Sequence, residues 1–203
     1  KTTEVDLGEE KDIYIPRIKW INDNELCITR LNRLQNHLEL LKVDAGKEKT
    51  KLFYEEKSMT YIDITDNLTF IDGGKSFIIT SEQDGYNNIY HYSMKGKLIK
   101  LITNGKFDIT EFLGFDDDKK VLYYQSAEVS PLERHIYAVN LDGSNKKLLV
   151  KGSGTHEATF SKNFKYYIHT FSTINTAPVV SIKNEQNENV RVLEDNEAFN
   201  TAW

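Results

Sequence analysis

The amino-acid sequence predicts an all-β fold: a β-propeller fragment of about four blades, each a four-stranded antiparallel meander. Three observations carry this. A large aromatic recurs as Trp20, Phe70, Phe115 and Phe160, at spacings of 50, 45 and 45 residues. After each aromatic come short β-rich apolar runs, in the same order every time. Turn-forming residues separate those runs at equivalent places.

The first unit is expected over 13–57, with Trp20 opening it. Its strand runs are Leu26-Cys27-Ile28-Thr29, Leu38-Glu39-Leu40-Leu41 and Lys51-Leu52-Phe53-Tyr54. The runs are rich in β-branched and aromatic side chains, which suit a pleated, half-buried surface. Only Asn32–Leu41 offers a helix-like alternative, and it contains too few turns to compete. The second unit, 64–106, follows Phe70 with Phe77-Ile78-Ile79-Thr80, Ile89-Tyr90-His91-Tyr92 and Ile99-Lys100-Leu101-Ile102. The third, 107–152, follows Phe115 with Val121-Leu122-Tyr123-Tyr124, Ile136-Tyr137-Ala138-Val139 and Lys147-Leu148-Leu149-Val150. The fourth, 153–197, follows Phe160 with Tyr166-Tyr167-Ile168-His169, Val179-Val180-Ser181-Ile182 and Val190-Arg191-Val192-Leu193.

The connections fit the same plan. Asn22-Asp23-Asn24, Asp72-Gly73-Gly74, Asp116-Asp117-Asp118 and Ser161-Lys162-Asn163 lie between first and second strands. Asp44-Ala45-Gly46, Lys95-Gly96, Asp142-Gly143-Ser144 and Asn184-Glu185-Gln186-Asn187 lie between third and fourth. Gly, Asn and Asp supply the positive φ of tight hairpins at little steric cost. Links this short force sequential antiparallel neighbours. The second-to-third connections are longer: Arg30–His37, Ser81–Asn88, Ser126–Arg134 and Ser172–Ala177. An immunoglobulin-like sandwich is the structural rival, but it does not call for four equivalent aromatics. A blade cannot bury both faces alone. Four blades therefore either close a ring or form part of a larger one, whose apolar end faces would drive self-association.

Composition narrows the function classes. Net charge is −5 with both signs interspersed, which argues against nucleic acid and against an anionic membrane surface. No apolar run is long enough for a membrane span. Cys27 is the only cysteine, so no intrachain disulfide forms, and its setting is that of a buried strand residue. The chain opens at Lys1 without a signal segment, as expected of a piece of a longer protein, so its compartment is not read from its start.

No catalytic, cofactor-binding or metal-binding residue is assigned. Gly152-Ser153-Gly154-Thr155-His156 is the nearest approach to a nucleophile elbow, and it reads as a flexible inter-blade connection. His37, His91, His135, His156 and His169 are scattered over different blades without metal-ligand spacing, and His91 and His169 read as ordinary sheet residues. Asp116-Asp117-Asp118 lacks the alternating spacing of a calcium loop and reads as a solvated turn. Asn67-Leu68-Thr69 fits a glycosylation triplet. Tyr54-Glu55-Glu56 pairs two carboxylates that could clamp an ammonium, but reads as a solvated blade exit.

Several strings resemble the N-terminal propeller of the dipeptidyl peptidase IV family, within the prolyl oligopeptidase group of serine peptidases, and bacterial members above all. They are Arg17-Ile18-Lys19-Trp20, Arg30-Leu31-Asn32-Arg33-Leu34-Gln35-Asn36 and Thr80-Ser81-Glu82-Gln83-Asp84-Gly85-Tyr86-Asn87-Asn88-Ile89-Tyr90. Tyr124-Gln125-Ser126-Ala127-Glu128-Val129-Ser130-Pro131-Leu132-Glu133-Arg134 and Arg191-Val192-Leu193-Glu194-Asp195-Asn196 follow in order, and the resemblance covers roughly residues 10–197. It implies an eight-bladed propeller joined to a C-terminal α/β-hydrolase domain, of which this chain holds about the last four blades.

The Ser-Asp-His triad would then lie outside these residues, as would the family's Asp-Trp-x-Tyr-Glu-Glu-Glu segment for the substrate amine. Tyr54-Glu55-Glu56 lacks the Asp-Trp lead and lies in the wrong blade, so that role is not carried over. The implied parent is a periplasmic, cell-envelope or secreted peptidase that removes X-Pro or X-Ala dipeptides from peptide N-termini. It needs no cofactor. Its propeller roofs the active site, in contact with the remaining blades and the hydrolase domain. The competing expectation is a freestanding propeller-type module whose rim loops bind a protein or peptide.

Overall fold

A computed structural model describes residues 2–201. Sixteen strands form four separate four-stranded sheets, each an antiparallel meander in sequence order. Blade 1 comprises β1 (Ile13–Trp20), β2 (Glu25–Asn32), β3 (His37–Asp44) and β4 (Lys51–Lys57). Blade 2 comprises β5 (Thr69–Ile71), β6 (Ser76–Ser81), β7 (Asn88–Ser93) and β8 (Leu98–Leu101). Blade 3 comprises β9 (Ile109–Asp116), β10 (Val121–Ser126), β11 (His135–Asn140) and β12 (Lys147–Leu148). Blade 4 comprises β13 (Thr155–Phe160), β14 (Tyr166–Thr173), β15 (Thr176–Asn184) and β16 (Asn189–Glu194), with a short helix α1 (Glu197–Asn200) behind it. This is the architecture of a β-propeller fragment. Asn32–Leu41 forms the β2–β3 hairpin and not a helix.

The four aromatics do occupy matching places, but they stand last or next to last in the first strand of each blade instead of opening the unit. Across the first hairpin Trp20 pairs with Leu26, Phe70 with Phe77, Phe115 with Leu122 and Phe160 with Tyr167. The strand before each aromatic is disguised by polar residues, such as Arg17 and Lys19 in β1 or His156 and Glu157 in β13. Trp20 differs in burial: it is 59% exposed, whereas the other three are half-buried.

Two compact units divide the chain: Lys1–Gly85 with Tyr90–Lys100, and Tyr86–Ile89 with Leu101–Trp203. In the first, Phe77 of β6 is fully buried among Phe53 and Tyr54 of β4 and Phe70 and Tyr92 of blade 2. Ile28, Leu41 and Val43 form a second cluster on blade 1, covered by Val5 and Leu7 of the N-terminal segment. That segment is fastened by Asp6 N–H to Glu48 O at 2.8 Å and by Arg30, whose guanidinium donates to Leu7 O. One apolar face of blade 1 is thus partly covered by the chain itself. In the second unit, Ile136, Ala138, Leu149, Ala158 and Tyr167 join blades 3 and 4 in one core.

The hairpin turns follow the expected chemistry only in part. Gly46, Gly96, Gly143 and Asn187 hold positive φ between third and fourth strands. Between first and second strands, Asp72, Gly73 and Gly74 of blade 2 hold positive φ as expected, whereas in blades 1 and 3 Asx side chains cap the turn. Asn22 Oδ1 accepts from the backbone of Asn24 and Glu25, and Asp116 Oδ1 from that of Asp118 and Lys119. In blades 3 and 4 Lys120 and Phe164 themselves take the left-handed conformation. Phe164 is placed there by packing: its ring stacks on Tyr123 at 5.2 Å and lies where a Cβ on Gly114 would come within 2.9 Å. Glycine at 114 leaves room for that ring.

Candidate functional site

Two polar clusters inside the sheets bring together the chemistry-bearing residues, one in each unit. In the first unit the cluster is built on β4. Tyr54, Glu55 and Glu56 alternate across the sheet, so the two carboxylates point to opposite faces. Glu55 is exposed, 3.0 Å from His37 Nε2 and 3.1 Å from Lys57 Nζ; the His37 hydrogen bond and then Lys57 hold its carboxyl below the usual range. Glu56 is half-buried and accepts from Tyr54 Oη at 3.0 Å and Ser81 Oγ at 2.7 Å. Burial and then the Glu56 charge push the Tyr54 phenol far up, so it remains a donor.

Glu56 therefore ties β4 to β6, and the solvated-exit expectation holds for Glu55 alone. One Glu56 oxygen makes this tie, and the other accepts from Tyr54 on its own strand. Beside it a cleft of about 550 Å³ is floored by Phe53, Tyr54 and Tyr92 and flanked by Lys51, Glu55 and Gln83. Gln83 Nε2 donates to Tyr92 Oη at 2.9 Å.

The second cluster corrects the expectation of scattered histidines. His135, His156 and His169 come together in the second unit, with successive ring centres 5.2 and 5.3 Å apart. His156 pairs with Phe171 across the β13–β14 hairpin, which makes His169 its diagonal neighbour on the same face. His156 Nε2 lies 3.0 Å from Gly152 O, and its Nδ1 lies 3.0 Å from His169 Nε2. A carbonyl oxygen only accepts, so His156 carries its hydrogen on Nε2 when neutral. Its bare Nδ1 then accepts from His169 Nε2–H. The ring planes are within 16°, so the two imidazoles lie nearly coplanar, end to end.

Burial drives the His169 pKa down to about 4, with His156 and Lys183 adding to the fall. Burial also lowers His156, against the opposing pull of the Gly152 carbonyl. His135 Nε2 lies 2.7 Å from Glu133, whose carboxyl is lowered chiefly by that bond, while His135 Nδ1 is buried without a partner.

The remaining residues singled out from sequence fall around these clusters. Ser153 lies in the segment between β12 and β13. Its linker is no loose connection: Arg134 N–H donates to Gly154 O at 3.1 Å, His156 N–H to Arg134 O at 2.8 Å, and Gln125 Nε2 to His156 O at 2.8 Å. Among the described residues there is no group of three or more His, Cys, Asp or Glu able to hold a metal ion. Cys27 is buried on β2, and desolvation raises its thiol to about 12. Asp116 is a buried turn anchor, whereas Asp117 and Asp118 are exposed. The Asn67 amide donates to Thr80 Oγ1 at 3.0 Å, so the glycosylation triplet is engaged in blade 2. His91 is buried on β7, with no partner for its Nε2.

Comparison with known proteins supplies the context. The chain matches the family described as the dipeptidyl peptidase IV (DPP IV) N-terminal region over residues 1–178. It is 24% identical over 216 residues to a probable dipeptidyl peptidase 4 of Aspergillus flavus, covering 96% of this chain and 28% of that protein. Against the dipeptidyl peptidase 4 of Trichophyton rubrum it is 25% identical over 178 residues, covering 84% of this chain and 23% of that one. Among solved structures, the crystal structure of Porphyromonas gingivalis dipeptidyl peptidase 4 aligns with a TM-score of 0.89 and 38% identity, over 98% of this chain and 28% of that chain. A putative dipeptidyl aminopeptidase IV from Bacteroides ovatus shares the fold, with a TM-score of 0.78 at 24% identity over 94% of this chain and 30% of that one. The chain thus spans under a third of the length of these relatives.

Proposed function

Because the chain belongs to the dipeptidyl peptidase IV N-terminal region family, we propose that it is the non-catalytic propeller part of a serine dipeptidyl peptidase. In the parent enzyme this part roofs the active-site cavity and restricts entry to flexible peptide N-termini. The parent removes X-Pro and X-Ala dipeptides: a serine attacks the scissile carbonyl, a histidine acts as general base, and aligned donors stabilise the oxyanion. Those groups belong to a hydrolase domain outside residues 1–203. The observation that carries the reading is the alignment over 98% of this chain but 28% of the Porphyromonas gingivalis enzyme.

The remaining blades and the hydrolase domain are the expected partners within the parent. The six exposed residues of β16, with Val190, Val192 and Leu193 among them, are suited to meeting another blade, or a second copy when the chain is isolated. No helix among the described residues is long and apolar enough to cross a membrane. The proposed location of the parent, periplasmic, cell-envelope or secreted, follows the family alone.

Incubation of the 203-residue chain with a Gly-Pro chromogenic amide tests the non-catalytic assignment. No turnover is expected; hydrolysis sensitive to a serine-directed inhibitor overturns it. Reading the parent open reading frame past Trp203 tests the rest. A downstream Gly-x-Ser-x-Gly elbow in a βα pattern is expected, and an immediate stop codon would make the chain a freestanding interaction module.

A further inference from the structure

We propose that the His156–His169 pair is an acid-sensitive latch that fastens the linker between blades 3 and 4 to blade 4 and releases it on protonation. The geometry gives the latch its polarity. His156 is committed twice, donating Nε2–H to Gly152 O in its own linker and accepting at Nδ1 from His169 Nε2–H on β14, each at 3.0 Å. A proton added at His156 Nδ1 leaves two N–H groups facing each other where one donor met one acceptor. A proton added elsewhere on the pair makes a buried cation. Protonating both rings puts two cations end to end.

The surroundings decide the sign. Lys183 on β15 and His135 on β11 both oppose positive charge at the pair. Glu133 is the one carboxylate acting on His156 among the groups that perturb it, and it favours the charged form; His135 Nε2 already engages it at 2.7 Å. Burial is the largest influence on both rings. The neutral pair is therefore the stable one.

What the latch holds is a segment with little slack. A Cβ on Gly154 would lie 2.6 Å from Ser172 O, so the linker runs directly against β14. Gly152 and Gly154 hold φ at +124° and +138°, a region that other residues rarely enter. The backbone of this segment also carries the Arg134–Gly154 and His156–Arg134 bonds that join it to blade 3. Losing the side-chain latch thus exposes the bonds by which blade 4 is registered on blade 3.

The folded His169 has a depressed pKa, so an opened form takes up a proton more readily and acid favours opening. The latch is fully present above the ordinary value of 6.5 and is lost as pH falls through about 4. From those two values, the opened population rises on the order of 50-fold between pH 7 and pH 4.5.

Amide hydrogen exchange on the chain, corrected for intrinsic rates, reads this at Arg134 and His156. Their protection is expected to fall by tens-fold over that interval, while the Ala45 amide bonded to Asn24 O in blade 1 serves as the unaffected control. His169→Gln replaces Nε2–H with a donor that does not titrate, and should flatten the response without abolishing protection at pH 7. Nitrogen chemical shifts of the two rings in the unsubstituted chain provide a second reading that needs no variant. His169 is expected to be neutral at pH 5.5, and the neutral His156 ring to carry its hydrogen on Nε2. Protection at Arg134 and His156 that stays unchanged to pH 4, or rings that titrate near 6.5, would overturn the latch.

Discussion

Replacing Phe77 by alanine is the most informative perturbation of the packing. Phe77 is fully buried and touches four rings: Phe53 at 5.4 Å, Tyr54 at 5.6 Å, Phe70 at 6.3 Å and Tyr92 at 5.7 Å. Two of these stand on β4 of blade 1 and two in blade 2, so the ring is the point where one sheet is buried against the next. Truncating a buried phenylalanine costs about 3–5 kcal/mol through lost transfer free energy and the cavity left behind. Its edge-to-face contacts with Phe53 and Tyr54 contribute about 0.5–1.5 kcal/mol each beyond area, which places Phe77→Ala near the upper end. For a chain of this size such a loss lowers Tm by about 6–20 °C. Phe77→Leu keeps most of the volume and should cost about 1–1.5 kcal/mol. Urea unfolding monitored by circular dichroism gives both values as shifts in midpoint at constant slope. A Phe77→Ala loss below about 1 kcal/mol would refute face-to-face blade packing through this ring.

Gly143 holds φ at +83° between β11 and β12, so Gly143→Val forces a β-branched residue into the left-handed region. A cost of about 1–3 kcal/mol in thermal melts is expected, and an unchanged curve would count against that hairpin. The Cys27 thiol, buried and raised to about 12, should resist alkylation by iodoacetamide at pH 8 until denaturant is added; rapid native-state labelling would contradict its placement. Glu56→Ala leaves Ser81 and Tyr54 without their shared acceptor and should destabilise by about 1–3 kcal/mol, whereas Glu55→Ala, at an exposed ion pair, should change the urea midpoint little.

The meander was legible because its signals are local. An apolar run, a turn residue and another apolar run need no knowledge of distant contacts, and the Gly46, Gly96 and Gly143 turns follow from chain sterics. First strands were harder to read, since β1, β9 and β13 mix charged residues, glycine and histidine with their apolar positions. Only the aromatic near the end of each strand stood out. The two-residue β12 stops short of the Lys147–Val150 run because Leu149 turns inward to the core, keeping one backbone bond to Ile136 O at 2.9 Å. Lys120 and Phe164 at positive φ were not legible, because no local rule puts a bulky side chain there. The Tyr123 stack and the space at Gly114 explain Phe164. The histidine cluster depends on the β13–β14 register and on the approach of β11, so residue spacing alone did not reveal it. A hairpin-aware reading of the 13-residue separation between His156 and His169 would have placed those two as diagonal neighbours on one face.

Labelling the intact parent protein with a fluorophosphonate and mapping the adduct by peptide mass spectrometry asks the chain's central question in one step. The division of labour argued for these blades places the modified serine on a peptide outside residues 1–203. An adduct on a serine within these residues, Ser153 above all, would contradict it.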